Sequence, residues 1–344
     1  MTPPITRRSA LSAGAALALA AWTRVRADAA EYALAPPASA LVPPLVGVNL
    51  AGAEFGNLLG IHGREYLYPT HANVDYYRNL GFNLIRVPFK WERLQHELGG
   101  AFDRQEEALL RDIVHFATAR GMHVIVDPHN YAKRTLAREN WSKERIIGSA
   151  ELPVSAFADF WSRLAVLFRD DPRVILGLMN EPAGIDVASW LVAANAAIAA
   201  IRAGGAKNLV LVPGVAYTGA HSWISAGNTA MWGIADPADH FAFEVHQYFD
   251  TDSSGTHPQA VSGTIGSERI EAFQEWARGR KVKAVLGEFN GGRNPASYNA
   301  LRDICSEMSA NPDVWLGWAA WAGGPRWPPD EMFNLEPWPD GRER

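Results

Sequence analysis

Apolar residues in this chain gather in short, nearly continuous runs, and most of the intervals between the runs repeat with helical spacing. The runs cover residues 46–50, 84–88, 123–127, 174–180, 209–213, 241–246, 282–288 and 314–320. A strand that is apolar on both faces is one buried on both faces. In the intervals, Leu109, Leu110, Ile113, Val114 and Ala117 share a helical face behind Asp103 and Glu106, which are spaced as a capping box. Phe157, Phe160, Trp161, Leu164 and Phe168 share another, closed by Pro172. Asp186 can cap a third helix, with Trp190, Ala194, Ile198 and Ile201 inward and Gly204-Gly205 at its end. Leu301, Ile304, Cys305 and Met308 mark a fourth. Eight buried strands alternating with helices predict a (β/α)8 barrel in a single domain. The alternative is an open doubly wound sheet, which usually opens with a Gly-rich phosphate turn. GVNLAGAEFG, residues 47–56, lacks the G-x-G-x-x-G spacing and ranks that alternative lower.

The polar residues fall at one end of these runs. NLIRVPF carries Arg86, VIVDPHNY ends in Asp127, His129, Asn130 and Tyr131, and GLMNEP ends in Asn180 and Glu181. FEVHQY ends in His246 and Tyr248, AVLGEFN in Glu288, and WLGWAAW in Trp321. A lone strand-end His or Asn is most often a local hydrogen-bonder. In a barrel, however, the carboxyl ends of all strands form one mouth. Burying so many polar groups there requires that they serve one another or a polyhydroxylated ligand. Glu181 and Glu288, on strands four and seven, would face each other across it. One carboxylic acid that protonates a leaving oxygen, opposite another that attacks or activates water, is the requirement for glycoside cleavage. The sequence has no H-x-H, H-E-x-x-H or G-x-S-x-G pattern, so neither a catalytic metal nor a serine nucleophile is expected, and no cofactor is implied.

Composition narrows the partners. The 344 residues carry a formal charge of −5. Residues 1–29 hold four Arg against one Asp, and without them 28 basic face 36 acidic residues, a charge of −8. An acidic body argues against nucleic acid and anionic membranes as partners. Most of the thirteen Trp belong to the core, with a few left as stacking platforms for sugars. Cys305 is the single cysteine, so the chain has no internal disulfide.

Taken in order, the strand-end motifs resemble glycoside hydrolase family 5, over about residues 45–338. NEP and GEF match the paired carboxylate motifs, and RVPF, HNY and HQY match three others. FEVHQYFDTDSSGTH at 243–257, GAHSWISAGN at 219–228 and GPRW with FNLEP at 324–337 are similar to the endo-β-1,4-glucanase branch. The resemblance implies a retaining β-1,4-glucanase acting as a monomer on a β-1,4-glucan polysaccharide or oligosaccharide. Other β-1,4-glycanases, for mannan, xyloglucan or xylan, share the same catalytic pair. It implies Glu181 as acid/base and Glu288 as nucleophile, with Asn180 on the sugar 2-OH. Arg86 and Tyr248 would keep Glu288 ionised, and the charge of Glu288 would keep Glu181 protonated. His129, Asn130 and His246 would support the cleavage subsite, with Trp321 as its floor. Trp223, in the Gly-flanked loop after strand five, is expected as a neighbouring platform. Arg326 departs from the pattern, because relatives often carry an aromatic residue there.

The N-terminus reads as an address. TRRSAL at 6–11 precedes an Ala/Leu-rich stretch too short to span a bilayer well, and ADA at 27–29 fits a cleavage site. This is a twin-arginine export pattern. Residues 30–44 form an Ala/Pro-rich linker, and 45–344 form the catalytic domain.

Overall fold

A computed structural model describes residues 44–342, apart from Leu59, residues 137–142 and Pro339. The export pattern and the linker, except its last residue Pro44, lie outside the described residues. Eight parallel strands close into a barrel: β1 (Leu45–Leu50), β2 (Leu84–Phe89), β3 (His123–Pro128), β4 (Val174–Gly177), β5 (Val210–Pro213), β6 (Phe241–His246), β7 (Ala284–Glu288) and β8 (Trp315–Gly323). Each strand pairs with its neighbours in sequence, and β8 closes on β1.

Side-chain alternation along the strands builds the site. One small or aliphatic residue from every strand forms the barrel floor: Leu45, Leu84, Ile125, Ile175, Leu211, Ala242, Val285 and Ala319. Two residues further on, the same inward face turns polar, at Arg86, Asp127 and Glu244. A second, larger apolar cluster lies between the strands and the helices.

Six long helices surround the barrel among the described residues: α1 (His71–Asn79), α2 (Arg104–Thr118), α3 (Val154–Phe168), α4 (Val187–Ala203), α5 (Ile265–Arg280) and α6 (Pro295–Ala310). Asp103 caps α2 through the amides of Gln105 and Glu106, and Asp186 caps α4 through Ser189. The capping box at α2 is only half formed. Glu106 turns away, and its carboxylate accepts from the hydroxyls of Tyr66 and Tyr68. Cys305 packs in α6, and burial pushes its thiol up to about 12. No helix follows β5. Its connection to β6 uses short 3-10 turns at Ala216–Thr218 and Asn228–Gly233. Among the described residues no helix is long and apolar enough to cross a membrane.

Candidate active site

Strand β4 ends at Gly177, three residues short of the apolar run. Leu178 and Asn180 still hydrogen-bond to the neighbouring chain segments, at Leu211 and Pro128. Glu181 then takes a left-handed backbone, φ 43°, opposite Tyr131 and Ala132 at φ 57° and 59°. Non-glycine residues adopt this region at some energetic cost, and it clusters at functional sites. The turn is held because Tyr131 N–H donates to Asn180 and Ala183 N–H donates back to Tyr131. The Glu181 side chain is thereby aimed over the barrel mouth.

Arg86, fully buried, organises the layer beneath. Its guanidinium reaches Glu288 at 2.7 Å, Glu244 at 3.0 Å and Asp127 at 3.1 Å, and donates to Asn49 and Asn180 at 2.9 and 2.8 Å. Tyr248 O–H donates to the other oxygen of Glu288 at 3.0 Å. His246 Nδ1 lies 2.8 Å from Glu181 Oε1 and 3.6 Å from Glu288 Oε2. One oxygen of each of Glu181 and Glu288 and one ring nitrogen of His246 lie within 4.8 Å of one another.

Charge states follow from burial and neighbours. Burial raises Glu288 above the usual carboxylate range, against the pull of His246 and Arg86. The expectation that Arg86 would lower it is corrected here: the cation acts in that direction, but desolvation outweighs it. Burial opposes a charge on His246, yet Glu288 and the hydrogen bonds to Glu181 and Glu244 push it up to about 10. Burial instead takes His129 down to about 3, and its Nδ1 sits 2.8 Å from Asp127.

Trp321 is half-buried and stacks on His129, with centroids 5.6 Å apart and planes 21° apart, so it borders the same mouth. Asn130 does not. Its amide accepts from Trp91 N–H and donates to Glu92, so it braces the turn after β2 and is not aimed at a ligand. Trp223 is also corrected. It is 0% exposed and packs on Phe243, Phe273 and Trp276, filling the core where β5 lacks a helix. Gly214 leaves room for its ring, because a side chain there would collide with it. Arg326 is exposed and donates to Arg64 O.

Beyond Glu181 a cleft of about 570 Å³ is lined by Tyr131, Tyr217, His221, His246 and the 252–254 loop. Tyr217 is 60% exposed, on three successive left-handed residues, Ala216 to Thr218, fixed by Thr218 Oγ1 bonds to Gly214 and Glu244. Sequence reading missed Tyr217, Asn49 and Glu244. Strand parity could have found the last two, because they share the inward face of Leu45 and His246.

Residues 46–324 match the model of the cellulase family, glycosyl hydrolase family 5. The chain belongs to this family. It is therefore a glycoside hydrolase, and the barrel is the one expected. It is 37% identical over 297 residues to endo-beta-1,4-glucanase B of Aspergillus niger, covering 86% of this chain and 85% of that one. Among solved structures, XacCel5A in complex with cellopentaose is 44% identical, with a TM-score of 0.83 over 88% of this chain and 96% of that one. The Pseudomonas stutzeri endoglucanase Cel5A, in complex with cellobiose, is 33% identical, with a TM-score of 0.79 over 88% and 90%.

Proposed function

We propose that this family 5 enzyme is an endo-β-1,4-glucanase that cleaves internal bonds of cellulose-like glucans with retention of configuration. The observation that carries the mechanism is the closeness of Glu181 and Glu288, within 4.8 Å at their nearer oxygens. A pair about 5 Å apart suits direct attack, whereas inversion needs about 6.5 to 9.5 Å to admit a water. Glu288, oriented by Arg86 and Tyr248, attacks the anomeric carbon while Glu181 gives its proton to the leaving oxygen. Water activated by Glu181 then opens the glycosyl ester. Asn180 Nδ2 is buried and has no partner within the protein, which supports a bond to the sugar 2-OH. Trp321 supplies the floor of the cleavage subsite, and His129 beneath it is neutral. The glucan preference is supported by the names of the relatives and by the cellopentaose and cellobiose bound to the two similar structures. Export by the twin-arginine route belongs to the same reading and rests on residues 1–29.

The test is reducing-sugar release from carboxymethylcellulose, β-glucan, glucomannan, xyloglucan and xylan, with the product anomer followed by NMR. The expected result is highest turnover on the β-1,4-glucans and an initial β-anomer. Highest turnover on mannan, xyloglucan or xylan would reassign the substrate, and an initial α-anomer would overturn retention.

A further inference from the structure

Beneath the two carboxyl groups lies a third that cleavage does not use. Glu244 faces inward on β6 and is 1% exposed. One oxygen, Oε1, meets both Arg86 Nε at 3.0 Å and His246 Nε2 at 3.3 Å. Glycine makes its room: a side chain on Gly287 of β7 would collide with Oε1. A buried carboxylate is costly, so a neighbouring strand that gives up a side chain to hold one points to a task.

The task is visible in the neighbouring ring. His246 is held at both nitrogens, Nε2 at Glu244 and Nδ1 at Glu181 Oε1. The acids acting on it are Asp127 from β3, Glu181 after β4, Glu244 from β6 and Glu288 from β7, and these in turn meet Arg86 from β2, His129 from β3 and Tyr248 after β6. Burial works against the charge of Glu244, but Arg86 and His246 outweigh it and hold this acid below the usual range. An imidazole held at each nitrogen by a carboxyl oxygen, with the charges of Glu288 and Glu244 beside it, keeps both protons, and burial notwithstanding, His246 is pushed up to about 10. A doubly protonated ring can only donate. Oε1 of Glu181 is then always an acceptor, and the proton that Glu181 trades with the glycosidic oxygen sits on Oε2.

We propose that Glu244 is a positioning residue that keeps His246 doubly protonated and thereby fixes Oε2 of Glu181 as the oxygen that gives and takes the catalytic proton. His246 holds the same two protons through both halves of the reaction, and only Oε2 loses and regains one. The inference rests on the acid/base role of Glu181.

The experiment compares wild type, Glu181→Gln and Glu244→Gln on cellotetraose and on 2,4-dinitrophenyl β-cellobioside, whose leaving group needs little protonation. It adds ¹⁵N spectra of the His246 ring from pH 5 to 9. Glu244→Gln is expected to lower kcat/KM on cellotetraose by about tenfold to a hundredfold, and on the aryl substrate by less than about threefold. Its alkaline limb should move to lower pH, and His246 should lose a ring proton within the range where wild type keeps both. If Glu181→Gln lacks the leaving-group split, the acid/base reading itself falls. If Glu181→Gln shows the split while Glu244→Gln leaves the pH profile and the ring protons unchanged, the role of Glu244 is overturned. Should Glu244→Gln fail to fold, a singly protonated His246 in wild type at pH 7 overturns it equally.

Discussion

Glu288 accepts one hydrogen bond at each oxygen, from Arg86 and from Tyr248, so its orientation is set before substrate arrives. Arg86 has two further carboxylate partners, Asp127 and Glu244, and does not depend on Glu288 to stay paired. The carboxyl group can therefore be replaced by an isosteric amide without stripping a buried cation of its neighbours. Glu288→Gln is expected to lower kcat by at least about a thousandfold, as expected for loss of a nucleophile. Cellotetraose affinity should stay within about threefold of wild type, because an amide keeps the shape but cannot form the glycosyl ester. Calorimetric titration with parallel thermal melts checks this. A comparable loss of binding and of melting temperature would make Glu288 a structural residue.

At the scale of elements, two tryptophans next to Gly-rich chain have opposite fates. Trp321 ends the inward face of β8 and remains half-exposed beside His129, whereas Trp223 turns into the gap left by the helix missing after β5. Trp321→Ala should lower kcat/KM on cellopentaose by about tenfold or more while costing less than about 1 kcal/mol of stability, since it removes a stacking face. Trp223→Ala should do the reverse. Emptying a fully buried indole site costs about 3 to 5 kcal/mol, with kinetics nearly unchanged in the fraction that stays folded. Urea unfolding and steady-state kinetics on both variants decide, and the opposite pattern would exchange the two assignments. The strands were legible because a barrel strand is apolar on both faces and its polar residues collect at one end. All eight runs are strands, displaced by a few residues at their ends. Glu181, Glu288, Arg86, Asn180, His129, His246, Tyr248 and Trp321 do converge on one mouth. The helices α1 and α5 were not legible, because polar residues interrupt their apolar stripes, as in the buried set Gly266, Ile270, Phe273, Gln274 and Ala277 of α5. Trp223 and Asn130 were misread for another reason. Neither local spacing nor residue type shows which way a loop side chain turns, and tertiary packing decides it.

For the whole molecule, the buried acids pull stability in two directions with pH. Burial works against the charge of Asp236, but Arg202 and the amides of Ala238 and His240 hold it at about 2. Its contribution is complete above the unfolded value, about 3.9, and is lost as pH falls through 2. Glu54 has the opposite sign. Burial raises it to about 8, although Gly52 N–H donates to it at 2.7 Å and Lys90 is nearby, and its Oε1 has no partner. A group raised on folding contributes fully below its unfolded value, about 4.3, and that contribution is lost as pH climbs toward 8. Asp127, raised to about 7, and His246, raised to about 10, add the same sign over their own windows. Above the Asp236 window the raised groups dominate, and the fold should weaken from pH 5 to pH 8. Glu54→Gln isolates one contributor. The amide differs from the protonated acid by a fixed amount at every pH, so that offset cancels when two pH values are compared. Between pH 5 and pH 8, the stability of the variant relative to wild type should improve by up to about 4 kcal/mol. Urea unfolding of both proteins at both pH values measures it. A difference that does not change with pH would mean that Glu54 ionises as readily in the folded protein as in the unfolded chain, and that the pH slope arises from the other raised groups, Asp127, Glu288 and His246.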